Sequence, residues 1–204
     1  MRTKAIHLLV LGISAILIAT ENSPGQIAYE SSVQAKAVEH RYMDSIDSIQ
    51  KLDFTNLQYF IGDCTSGELF QLRNGKAETR FNFGFDKFSL EHVYYFRPGR
   101  TEHEAALVEI RHFYGGGSSS QDGLLLVFQI DDGGLVVTQQ LVYDQQAKGT
   151  GTGFDSVTRI LTVRARSNDD SAHCCPKSID VVILKWNGKA FEEKSHRTLP
   201  VEGQ

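Results

Sequence analysis

Past Leu52 the apolar residues recur at every second position, the spacing of a strand with one dry and one wet face. Phe88, Leu90, His92, Tyr94 and Phe96 fall on one face of such a strand, and Val108, Ile110, His112 and Tyr114 on one face of the next. Leu124 to Ile130 is almost continuously apolar, as expected of a strand covered on both sides. Leu161, Val163 and Ala165 alternate with Thr162, Arg164 and Arg166. The turns between these runs carry residues that tolerate left-handed backbone: Asn74-Gly75, Asp131-Asp132-Gly133-Gly134 and Asn187-Gly188 each predict a hairpin. About nine or ten strands joined by tight turns predict a mainly β antiparallel meander, as a sandwich, a barrel or a partial propeller.

The residues before Leu52 follow a different pattern. Ala35, Val38, Tyr42, Ile46 and Ile49 recur every three or four residues, with Glu39, Arg41, Asp44 and Asp47 between them, and predict one amphipathic helix that Ser31 or Ser32 caps. Residues 1–28 have the parts of a secretory signal: Arg2 and Lys4, an apolar run from Ala5 to Ala19, then a polar segment with Gly25 and Ala28 as candidate cleavage points. The run is shorter than the roughly 20 residues that span a bilayer. The expected organisation is therefore a signal peptide (1–28), a helical segment (29–52) and an all-β domain (53–204), located outside the cytoplasm, periplasmic or secreted, with no membrane span once the signal is cleaved. Retention of the signal as an N-terminal membrane anchor is the alternative.

Composition narrows the function. The chain has 21 basic and 25 acidic residues, and loss of Arg2, Lys4 and Glu21 with the signal takes the net charge from -4 to -5. There is no basic excess to release counterions, so nucleic acid is not an expected partner. Half of the 18 glycines lie between Gly115 and Gly153, but they open onto strands rather than helices, so they read as flexible connections and not as a phosphate cradle.

An exported chain meets oxidising conditions, so its three cysteines, Cys64, Cys174 and Cys175, are disulfide candidates with one left over. A bridge from Cys64 to Cys174 or to Cys175 closes a loop of about 110 residues, for which chain entropy gives on the order of 4 to 5 kcal/mol. A bridge between the neighbours Cys174 and Cys175 closes no such loop. Zinc sites space their cysteines so that the side chains converge, and adjacent residues on an extended chain diverge, so His173, Cys174 and Cys175 predict no metal centre.

With Asp170 to Pro176 and the closing Trp186-Asn187-Gly188, the chain from Tyr94 to Glu193 resembles the LppP/LprE family of small exported proteins, described mainly as actinobacterial lipoproteins. Further points of resemblance are the strand Ala105 to His112, the loop Gly115 to Ser120, the strand Leu124 to Ile130 and Gly153-Phe154. The resemblance extends distantly to FG-GAP and integrin-type propeller repeats, whose acidic loops bind calcium. Here that loop is Arg97 to Glu104, with basic residues at ligand positions and only Glu104 retained, so no calcium and no cofactor is expected. The family's lipid-bearing cysteine is absent, since no cysteine precedes Cys64. The resemblance implies an architecture and a location, and no reaction.

No catalytic set can be assembled from the sequence. His92 and His112 read as partly buried strand residues, Asp131 and Asp132 as hairpin residues, and Ser118, Ser119 and Ser120 lack the strand-to-helix elbow of a hydrolase nucleophile. The expected function is a non-enzymatic module that binds an envelope component or a small ligand through its loops. The alternative is an unrecognised extracytoplasmic hydrolase, which a cleft uniting His92, His112 and Asp131 would favour.

Overall fold

The computed structural model describes residues 31–61, 68–82, 84–99, 104–115, 120–146, 149–168 and 177–201. Among them lie twelve strands: β1 (Val33–Met43), β2 (Gln58–Ile61), β3 (Glu68–Gln71), β4 (Lys76–Phe81), β5 (Gly84–Phe96), β6 (Ala105–Gly115), β7 (Ser120–Asp131), β8 (Gly134–Asp144), β9 (Gly151–Asp155), β10 (Ile160–Arg166), β11 (Ser178–Trp186) and β12 (Phe191–Pro200). A large sheet has the order β1-β8-β7-β6-β5-β4, a small sheet the order β12-β11-β10-β9, and β2 pairs only with β3. All pairings are antiparallel, and the strand orders leave every sheet open at both edges.

The large sheet is the middle layer. On one face Leu107, Leu125, Val127, Leu141 and Tyr143 share a core with Leu161, Val163, Val182, Leu184, Trp186 and Phe191 of the small sheet. On the other face Val108, Ile110, Leu124, Leu126 and Phe128 pack with Ile49, Phe54, Tyr59, Phe70 and Leu72 around the β2–β3 hairpin. This double burial explains the unbroken apolar run in β7, where Leu124 to Phe128 are all buried and alternate between the two cores. Polar groups fasten the layers. The Gln139 side chain donates to the Phe191 carbonyl (2.9 Å) and accepts from its N–H (2.8 Å), and Trp186 Nε1 donates to the Pro98 carbonyl (2.9 Å).

The helix expected over residues 29–52 does not form in the described part of that segment. Val33–Met43 is instead edge strand β1, paired with β8, and only Ile49–Lys51 makes a short 3₁₀ turn. A spacing of four, as from Val38 to Tyr42, satisfies a strand as well as a helix, and the free edge of β8 decides between them. Ser31 accepts the Val33 N–H (3.3 Å) as a local turn rather than capping a helix.

The turn residues act as expected, with local differences. Asn74 and Gly75 (φ 53° and 77°) and Asp132 and Gly133 (φ 47° and 73°) make left-handed turns. Asp131 pairs with Gly134 across the second, closing β7 onto β8. At the first, only Arg73 and Lys76 pair; the flanking strands then part, β3 to β2 and β4 to β5. Trp186 pairs with Phe191, so the last hairpin turns through Asn187 to Ala190. Gly151 and Gly153 belong to strand β9, not to a flexible connection.

Candidate functional site: an acid–imidazole pair on the open part of the large sheet

Among the described residues the small sheet covers only part of the large sheet's face, and Glu109 lies at the boundary between the shared core and the adjoining hollow. This residue interrupts the apolar run Ala105 to Ile110 of β6 and is 3% exposed. Burying a carboxylate is costly unless it is hydrogen-bonded. Tyr143 Oη donates to Oε1 (2.6 Å), Thr152 Oγ1 donates to Oε2 (2.7 Å), and His92 Nδ1 lies 2.9 Å from Oε2.

Local strand geometry places each donor. In β5 a bulge between Leu90 and His92 shifts the register, so Phe88 and Leu90 face the β2–β3 side, whereas Tyr94 and Phe96 face the small sheet. The same shift sets His92 directly opposite Glu109. Tyr143 reaches Glu109 because its β7 neighbour is Gly123, where an added Cβ would fall 2.1 Å from the Tyr143 ring. Burial first, and then the charge of Glu109, raises the Tyr143 pKa and keeps the phenol a donor. The same two causes raise the pKa of Tyr94, whose ring stacks with that of His92 at 5.4 Å.

A directed hydrogen-bond chain leads from this pair across the sheet. Gln145 Nε2 donates to Tyr143 Oη (2.5 Å), and Gln121 Nε2 donates to Gln145 Oε1 (3.0 Å). Because the phenol donates to Glu109, its oxygen must accept from Gln145, and the amide orientations follow from there. The chain ends with Gln121 Oε1 as an open acceptor. At its other end, with Nδ1–H directed to the carboxylate, His92 presents Nε2 to the cleft.

Two adjoining hollows occupy this region. One, of about 320 Å³, is lined by His92, Glu109, Gln145, Thr150 and Thr152 together with Arg111 and Gln121; the other, of about 590 Å³, shares Arg111 and Gln121 and continues to Ser89, Lys87 and Phe113. Both fall in the small-ligand size range. Phe113 stacks with Phe85 at 5.7 Å, and Lys87 Nζ lies 4.7 Å above the Phe85 ring. Apart from Lys76, the cations along the hollows are matched: Arg111 pairs with Glu91 (3.0 Å), and Glu78 takes both Arg80 (2.6 Å) and Lys87 (3.6 Å).

The remaining acid–histidine pairs are placed differently. Asp180 is fully buried; His196 Nε2 lies 3.3 Å from its Oδ1, Thr198 donates at 2.7 Å, and Ser167 also bonds it. Burial works to raise the Asp180 pKa, but these hydrogen bonds outweigh it and hold the carboxyl below its ordinary value. His112 lies 3.2 Å from Asp86 and stacks on Phe88, a residue of the β2–β3 core. Beside it, burial raises the pKa of Asp122, with the charge of Asp144 adding to the effect.

The cleft that would have favoured chemistry is therefore not formed. His92 lines the hollow, His112 belongs to the opposite face, and Asp131 lies at the β7–β8 turn. Among the described residues no hydroxyl is poised on His92, since Thr152 is committed to Glu109 and Ser89 donates to Glu91 (2.8 Å). Ser120 begins β7 and accepts from Gln146. Glu104 lines a third hollow with Arg97 and Arg159. Cys64, Cys174 and Cys175, with His173, Ser118, Ser119 and the signal segment, lie outside the described residues. Sequence reasoning passed over Glu109, although a single carboxylate inside a run apolar on both faces was its signal. Neither the family models, nor the curated proteins, nor the solved structures contain a match to this chain.

Proposed function

We propose that the chain is an exported, non-enzymatic β-domain that binds an envelope component or a small ligand, and that the open part of the large sheet, rather than the loops, is its binding surface. One observation carries this reading: Glu109, His92, Tyr143, Gln145 and Gln121 form a rigid hydrogen-bonded row along adjoining hollows, with open acceptors but no nucleophile among the described residues. Rigid polar groups of fixed direction suit recognition. The export part rests on residues 1–28 and on the resemblance to LppP/LprE proteins. The row of Glu109 and His92 does share one feature with hydrolases, a base oriented by a carboxylate, and this keeps the alternative reading testable.

The test combines two measurements on the purified protein. A fragment library screened by amide chemical shifts is expected to converge on Glu91, Arg111 and Gln121 and their neighbours. A panel of chromogenic esters, amides, glycosides and phosphoesters is expected to show no turnover. Turnover that His92→Ala abolishes would establish the hydrolase instead.

A further inference from the structure

We infer that the ligand of the open face is an uncharged, hydroxyl-rich chain, an oligosaccharide, an inference that rests on the binding reading above and specifies its chemistry. Charge is the first argument. Every cation named along the hollows except Lys76 already faces a carboxylate, Arg111 with Glu91 and Lys87 with Glu78, while Glu109 is met by His92, Tyr143 and Thr152. A strongly charged ligand would have to separate one partner of these half-exposed pairs from its counter-charge. A ligand without net charge disturbs none of them.

Hydrogen-bond polarity is the second argument. Gln121 Oε1 is an open acceptor and His92 Nε2 an open ring nitrogen, and Arg111 retains N–H donors beyond the one bonded to Glu91. A ligand that meets this surface must donate at some points and accept at others over a short distance. A hydroxyl group does both, and a row of hydroxyls on a sugar ring matches alternating donors and acceptors.

At the far end the Phe113 ring lines the larger hollow, with the Phe85 ring beside it. Phe85 and Phe113 lie 26° apart in plane and are both partly exposed on the face that carries Arg111 and Gln121. Phe85 reaches over Gly115, where an added Cβ would fall 2.5 Å from the ring, so glycine at that position permits the ring to lie against the sheet. An aromatic surface beside polar side chains fits the mixed faces of a sugar, whose C–H groups cluster on one side and whose hydroxyls project from the edge. The adjoining hollows, about 320 and 590 Å³, extend the site along the sheet and favour a chain over a single ring.

The experiment is titration of the full chain with uncharged oligosaccharides of increasing length, glucose and N-acetylglucosamine polymers in different linkages, followed by calorimetry and amide chemical shifts. Affinity is expected to rise with chain length, to be nearly independent of salt, and to move the amides of Arg111, Phe113 and Gln121. Phe113→Ala and Gln121→Ala are each expected to weaken binding by about 5- to 20-fold. Gln121→Ala is the control for a Phe113→Ala protein that fails to fold, because Gln121 is a partly exposed polar residue. If charged peptides or charged glycans alone move these amides, in a salt-dependent way, the oligosaccharide inference is overturned and the binding surface stands. If neutral oligosaccharides bind elsewhere, both are overturned. If none of them binds, the oligosaccharide inference fails and the fragment screen decides the rest.

Discussion

Glu109 and Asp180 are the same device in two settings. Each is a buried carboxylate facing a histidine and accepting from hydroxyl groups, yet the His92 side chain is 58% exposed and the His196 side chain only 16%. Glu109 stands where the small sheet ends and a hollow begins; Asp180 lies on β11, tied to β12 by Thr198. The enclosed pair fastens strands, and the open pair presents one nitrogen outward. Surroundings, not residue type, separate a structural pair from a candidate site.

The largest expected difference lies in stability. Asp180→Ala leaves Thr198, Ser167 and His196 without their common acceptor inside the protein, and should cost about 3 kcal/mol. Glu109→Ala opens onto a hollow that water can fill, and should cost about 1 to 2 kcal/mol. Urea unfolding of the two variants measures the gap, and equal losses would erase the distinction. Next in size, Gly123→Ala would drive a methyl group into the Tyr143 ring, which the bonds to Glu109 and Gln145 hold in place, at about 2 kcal/mol. Its tyrosine fluorescence should change together with its unfolding midpoint.

Acid sharpens the comparison further. The Asp180 carboxyl titrates lower in the folded than in the unfolded chain, so its ionisation stabilises the fold above the unfolded value of about 3.9 and that contribution is lost as pH falls through the folded value. Wild-type stability should therefore decline more steeply below about pH 4 than that of Asp180→Asn. Smallest of all, His92→Ala removes a largely exposed ring and should change the unfolding free energy by about 0.5 kcal/mol or less. A larger loss would make the open pair structural as well.

Much of the fold was legible because period-two alternation and left-handed turn residues are local signals. The runs at Phe88, Val108, Leu124 and Leu161 all became strands of a mainly β protein. What escaped were effects that depend on a partner strand. Val38 and Tyr42 satisfy either period, and only the open edge of β8 selects the strand. The β5 bulge is equally silent in sequence; uninterrupted alternation put His92 on the face of Phe88, whereas the register shift turns it toward Glu109. The site was missed for the same reason, since its members are spread over β5, β6, β7, β8, β9 and the residues between β8 and β9.

The most direct test of the contrast compares the rise in unfolding temperature that a saturating neutral oligosaccharide produces in the wild-type protein, His92→Ala and His196→Ala. Ligand present at about 100 times its dissociation constant adds roughly 2.7 kcal/mol, a rise of a few degrees. Wild type and His196→Ala should gain this rise equally, from different starting temperatures, and His92→Ala about half of it. An undiminished rise in His92→Ala, or no rise in any of the three, would contradict it.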